Sequence, residues 1–286
     1  MKQIISIIIL IVLSLLIALC GSAGGYEVND SPTIFYCWLI AFCIQYLIFI
    51  PSFIFKTERL FDFTGMVAFL SIMIYILYSR PIQDLNYTGK ILIILISVWT
   101  LRLGFFLLLR IHKDGRDRRF DELKIHFLKF LSVWTMQGFW VFVTASCAIS
   151  VLCSDVIEDR PVFIVTGLAV WLLGFLVEII SDSQKRIFRK TNHDDFISSG
   201  LWSFSRHPNY LGEILLWAGI AVICLPNLEG TKYVTLVSPV FVYFLLTRIS
   251  GINLLEQHSD EKWGHLESYK NYKKSTPILF PFKRNN

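Results

Sequence analysis

GLWSFSRHPNYLGEILLWAG, Gly200 to Gly219, joins a glycine-headed turn to a strongly apolar helix. Pro208 is well placed as the first helical residue, where its missing N–H costs nothing. Arg206 and His207 stand just outside the apolar run, with Tyr210 close behind. Asn209 and Glu213, four residues apart, share one helix face. A carboxylate inside an apolar segment of membrane length is expensive and usually faces a polar cavity or a partner. Two readings follow. In one, this is a helix start whose basic residues snorkel to lipid headgroups. In the other, it is an anionic-ligand site opening at the cytoplasmic face.

Outward from this stretch the chain is apolar almost throughout. Of its 286 residues 54% are hydrophobic and 17% charged, too apolar for a soluble domain and long enough for a polytopic membrane protein. Eight apolar segments can be drawn, at 3–21, 33–55, 63–79, 91–109, 127–153, 161–181, 208–225 and 233–250. Most reach the roughly 20 residues that a bilayer crossing needs. The expected fold is therefore all-α, a transmembrane bundle of seven or eight helices. With residue 1 in the cytoplasm, 22 of the 27 lysines and arginines fall in cytoplasmic stretches. Arg80, Lys90, Arg160 and Lys232 fall opposite, and Arg102 lies within a span. That asymmetry predicts an even number of crossings with both termini cytoplasmic. The net charge of +5 reflects these loops, and no nucleic-acid surface is expected because apolar spans separate the basic residues.

The first segment has a rival reading as a cleaved signal peptide, since Lys2 precedes the run and small residues follow it. An uncleaved helix is the expectation, because Leu19 before Cys20 matches a processing site poorly. Six cysteines in or beside the spans read as small buried hydrophobes, and the scattered histidines predict no metal site. With no repeat and no linker, residues 1–286 are expected to form a single integral membrane domain. It would sit in a bacterial inner membrane or the endoplasmic reticulum.

The candidate chemistry lies mostly at the cytoplasmic ends. Arg102 and Arg110 are eight residues apart, a little over two helical turns, so both can face one side. Topology and lipid headgroups explain the basic loop from Arg110 to Arg119, but Arg102 is deep enough to want a specific partner. Glu178, Asp182, Lys185 and Arg189 run at i, i+4, i+7 and i+11, one helical stripe. An ion-pair ladder is the plain explanation. A stripe that turns from acidic to basic toward the cytosol also suits a ligand with an amide or ribose end held deeper and phosphates nearer water. In the tail, spacing leaves open whether Glu256 or Tyr272 touches a ligand. Gln45 and Asp62 are among the few polar groups within or near the spans, candidates for a lipophilic substrate entering from the bilayer.

Several blocks carry a resemblance: TERLFDFTG from Thr57, RLGFFLLLRIHKDGRDRRF from Arg102 and SDSQKRIFRK from Ser181. GLWSFSRHPNYLGE from Gly200, LLEQHSDEKWG from Leu254 and YKNYKKSTP from Tyr269 complete them. Together, from about residue 57 to the end, they resemble the DUF1295 family of membrane proteins, related to steroid 5-alpha-reductases. Residues 1–56 then supply two N-terminal transmembrane helices. QKRIFRK is similar to a segment of integral-membrane sterol reductases. The resemblance implies NADPH in a cytoplasm-facing pocket and reduction of a carbon–carbon double bond conjugated to a ketone. Carried over by position, Asp182, Arg189, Asn209 and Glu213 fall in cofactor-binding blocks. Glu178 stands where the animal steroid reductases have asparagine, and those enzymes lack the Arg206–Pro208 triplet. Gln45 falls where a substrate-end glutamine or glutamate lies.

On this reading Arg102, Lys185 and Arg189 bind phosphates, while Asp182, Asn209 and Glu213 fix amide and hydroxyl groups. Arg110, Glu178, Arg206, His207 and Tyr210 complete the cofactor set. Gln45 polarises the carbonyl, and Asp62 donates a proton only if its pKa is raised. The alternative is an S-adenosylmethionine-dependent methyltransferase of a lipid or prenyl substrate, because an RHPxYxG block also resembles isoprenylcysteine carboxyl methyltransferases. Such enzymes commonly carry paired glutamates before the tail tyrosines, whereas this chain has LLEQ. A transporter would show repeats or broken helices, and none is read in the sequence.

Overall fold

The computed structural model describes residues 1–192, 194–249 and 251–280. It is helical apart from a hairpin of Glu27–Val28 (β1) and Ser31–Pro32 (β2), paired antiparallel. Eight helical stretches among the described residues are long and apolar enough to cross a membrane. Each overlaps one of the eight segments drawn from the sequence. The chain groups into two compact units, Met1–Ile164 with Ile223–Ser238, and Val165–Val222 with Pro239 onward.

The first unit holds Lys2–Gly21 (α1), Thr33–Ile54 (α2), Phe61–Ser79 (α3), Tyr87–Asp114 (α4) and Phe127–Leu152 (α5). At its centre is α5, 89% of whose most apolar window is buried. Its run Thr144-Ala-Ser-Cys-Ala-Ile-Ser150 explains why: small residues let neighbouring backbones approach, and hydroxyls bond across helices. Ser150 Oγ donates to Gly21 O at 2.8 Å, tying α5 to the end of α1. Lower down, Phe49, Phe120, Phe130 and Trp134 form an aromatic cluster. Helix α4 outruns the predicted 91–109. Asn86 caps its start by accepting from Gly89 N, and nothing breaks it before Gly115, at φ +76°. Arg110 therefore lies on the helix and not in a loop.

The second unit contains most of Pro161–Thr191 (α6) and of Pro208–Cys224 (α7), and the C-terminal helices Ile252–Trp263 (α9) and Glu267–Ser275 (α10). Helices α6 and α7 touch backbone to backbone. A Cβ on Gly174 would fall 2.5 Å from Gly212 O, and one on Gly219 would fall 2.6 Å from Gly167 O. The pairings Gly174 with Gly212 and Gly167 with Gly219 are antiparallel, each partner seven residues from the next along its own helix.

The eighth span departs from expectation. It is not one continuous helix: a 3-10 stretch Gly230–Leu236 leads into Val237–Phe244 (α8), then a π turn at Leu245–Ile249, and α9 starts beyond Gly251. Pro239 supplies the reason at the start. It has no N–H for Thr235 O, four residues back, and Ser146 Oγ donates to that carbonyl instead at 3.2 Å.

Candidate functional site

Glu178 of α6 meets the start of α7. A Cβ on Gly212 would sit 2.6 Å from Glu178 N and 2.9 Å from its Cβ, so glycine at 212 lets Glu178 lie against the first turns of α7. Glu178 and Asp182 are 2% and 7% exposed, and Glu213 is 8% exposed. The free N–H groups of a helix start favour nearby carboxylates, which makes this a tolerable place to bury acids. Lys185 and Arg189 follow on α6, half-buried and exposed, so the stripe does run from buried acid to exposed base.

The loop before α7 is stitched to the end of α6. Gly200 takes φ +63°, where a side chain would also meet the Gln184 carboxamide. Gln184 Oε1 accepts from Leu201 N at 3.0 Å, and Trp202 Nε1 donates to Ser181 O at 3.1 Å. The Lys185 ammonium lies 4.5 Å from the Trp202 ring centre, a cation–π contact. These contacts present Arg206 and His207 to the C-terminal helices.

Glu256 of α9 is the hub there. Its Oε1 is 2.8 Å from His207 Nε2, and its Oε2 is 2.7 Å from Arg206 Nη1 and 3.4 Å from Lys273 Nζ. Lys273 Nζ also meets both oxygens of Asp260, at 2.6 and 2.9 Å. The Tyr272 hydroxyl donates to Trp202 O at 2.7 Å, and Tyr210 stacks on His207 with ring centres 5.7 Å apart. Arg206 N donates to Pro277 O and Ser205 Oγ to Ile278 O, which fastens the chain beyond α10 beneath the same loop. Burial pushes the His207 pKa below its ordinary value, outweighing the pull of Glu256, so the ring is neutral near pH 7. Burial likewise raises the Tyr272 phenol, and raises that of Tyr269 to about 12.

Nine predicted residues thus fall in the second unit: Glu178, Asp182, Lys185, Arg189, Arg206, His207, Asn209, Tyr210 and Glu213. The pair Arg206 and His207, read from sequence as open to an anion, already share the carboxylate of Glu256. Gln45, Asp62, Arg102 and Arg110 belong to the first unit. Gln45 is wholly buried on α2, and neither amide atom has a hydrogen-bond partner among the described residues. Asp62 lies 3.4 Å from Arg110, and the Arg102 guanidinium lies 5.3 Å from the Phe106 ring centre. Sequence reasoning left Glu256 undecided and passed over Lys273 and Trp202. Their places depend on how the tail folds back, which spacing along the chain does not encode.

Fold and site together define a polytopic helical membrane protein with a buried, mixed-charge cluster at one helix start. The chain belongs to the family described as "Protein of unknown function (DUF1295)", whose model matches residues 48–276. It is 33% identical over 125 residues to rat 3-oxo-5-alpha-steroid 4-dehydrogenase 1, covering 43% of this chain and 42% of that one. To the human enzyme of the same name it is 30% identical over 135 residues, 46% of each. To Arabidopsis thaliana Delta(14)-sterol reductase it is 25% identical over 172 residues, 56% of this chain and 45% of the other. The chain spans less than half the length of these curated relatives. No solved structure matches it.

Proposed function

We propose that this protein is an NADPH-dependent membrane reductase of a carbon–carbon double bond conjugated to a ketone in a lipophilic, steroid-like substrate. The observation that carries the reading is the second-unit cluster, where buried acids, exposed bases and uncharged polar atoms converge on the start of α7. Similarity to proteins named for steroid and sterol redox chemistry supports it.

The residues fit a dinucleotide. Arg206 Nε and His207 Nδ1 are buried without a hydrogen-bond partner among the described residues, as expected of atoms kept for a ligand. Lys185 and Arg189 would hold phosphates. Asp182, Asn209 and Glu213 would fix hydroxyl groups, with Glu178 and Tyr210 beside them. When bound, the nicotinamide supplies the hydride. The chain must then stabilise the negative charge that grows on the ketone oxygen. Gln45 is suited to that, because its buried carboxamide has an N–H to give. Asp62, 3.4 Å from Arg110, is the candidate for delivering the proton. The substrate would enter from the lipid, and the cofactor from the cytoplasm.

The test is ligand-induced thermal stabilisation of the detergent-purified full chain. NADPH is expected to raise the midpoint and S-adenosylmethionine to leave it unchanged. Stabilisation by the methyl donor alone would overturn the reading in favour of a lipid methyltransferase. Arg189→Ala and Asn209→Ala are each expected to weaken NADPH stabilisation while leaving the ligand-free midpoint in place.

A further inference from the structure

We infer that Arg206 Nε and His207 Nδ1 act as a donor and an acceptor for the uncharged carboxamide end of the dinucleotide, and not for its phosphates. The inference rests on the NADPH reading above and assigns which part of that molecule this corner receives.

The charge on Arg206 is already matched, which disfavours a phosphate at these two nitrogens. Facing one another are Arg206 and Lys273, both cationic, and Glu256 and Asp260, both anionic, held by contacts of 2.6 to 3.4 Å. Arg206 and His207, 9% and 5% exposed, share the Glu256 carboxylate, so the buried guanidinium already has its counter-charge. Lys185, the other cation acting on His207, is on α6 against Trp202.

Hydrogen-bond chemistry names what does fit. His207 Nε2 faces a carboxylate at 2.8 Å and must donate to it, which makes Nδ1 of the neutral ring an acceptor. Arg206 touches Glu256 through Nη1, by distance an ion pair without the alignment of a hydrogen bond, and its Nε–H is a donor with no partner among the described residues. A phosphate offers oxygens only and would set lone pairs against Nδ1. A carboxamide carries a donor and an acceptor on separate atoms of one plane. Burying these nitrogens unsatisfied is unfavourable, and a carboxamide relieves both.

The experiment measures affinity by thermal stabilisation of the full chain at pH 7.5. Its probes are NADPH, NADH and the reduced 3-acetylpyridine analogue of NADPH, in which a methyl group replaces the amide NH2. Wild-type protein is expected to bind the analogue about tenfold more weakly than NADPH, the effect of one hydrogen bond. His207→Gln keeps an amide where Nε2 meets Glu256 and removes Nδ1. It is expected to bind NADPH no better than the analogue while preserving the preference for NADPH over NADH. His207→Asn, which restores an amide oxygen near Nδ1, should recover discrimination. If His207→Gln discriminates as wild type does, or if it loses the NADPH-over-NADH preference, the assignment is wrong. If wild-type protein binds NADPH and the analogue equally, it is also wrong, with the reductase reading intact. If it binds no dinucleotide at all, the reductase reading falls and this inference with it.

Discussion

Glu256 shows how much one side chain can hold in place. Arg206 is 9% exposed and His207 5%, and each meets one oxygen of that carboxylate. Removing one partner of a buried pair costs roughly 3–5 kcal/mol, because the other charge is left uncompensated. Glu256→Ala is therefore expected to lower the thermal midpoint sharply. Glu256→Gln, which keeps an acceptor, should do so less, and Lys273→Ala, on a partner 29% exposed, least of all. Acid should act on the same place. His207 titrates lower in the fold than in the unfolded chain, so between the two pKa values the unfolded chain binds more protons and stability rises with pH. Lowering the pH from 7.5 toward 5.5 should lower the midpoint through the window just below the ordinary histidine value, and His207→Gln should flatten that part of the profile. A midpoint rising toward acid in wild type alone would contradict the neutral assignment.

At the scale of helices, the glycine contacts between α6 and α7 decide where the acids sit. A Cβ at Gly212 would lie 2.6 Å from two backbone atoms, Glu178 N and Gly174 O, and backbone cannot rotate aside as a side chain can. Overpacking of this kind typically costs about 1–3 kcal/mol. Gly212→Ala is expected to destabilise the protein and weaken NADPH binding together. Gly219→Ala makes the equivalent clash two turns further from the acids, and should cost stability with less effect on binding. Parallel losses of affinity in the two variants would mean that the contact does not position the acids. The stripe from Glu178 to Arg189 was legible in sequence because helical period alone aligns it. The glycine contacts were not legible, since a glycine within an apolar run says nothing about which helix it approaches. The interrupted eighth span was missed for a similar reason. Pro239 was in view, but its consequence depends on Ser146, far away in the chain and near only in space.

For the molecule as a whole, hydropathy made the eight candidate spans readable in the sequence. Backbone groups in lipid must be satisfied within the helix, which leaves little freedom for alternatives. The asymmetry of basic residues supports the proposed orientation, and labelling in intact cells tests it. A cysteine at Asp121, in the basic connection after α4, should be shielded from an impermeant thiol reagent, and one at Asp155, after α5, should be reached. The reverse pattern would invert the proposed topology. The cluster around Glu256 lay beyond such reading, because it joins α7 to a tail dozens of residues later. One consequence of the glycine pairing concerns chain length more than residue identity. Gly174 and Glu178 are one turn apart on α6, and a single inserted residue between them would swing the acid by about 100°. Homologous chains that use this corner in the same way should tolerate many replacements around it, yet carry no insertions or deletions between positions 174 and 182 or between 206 and 213.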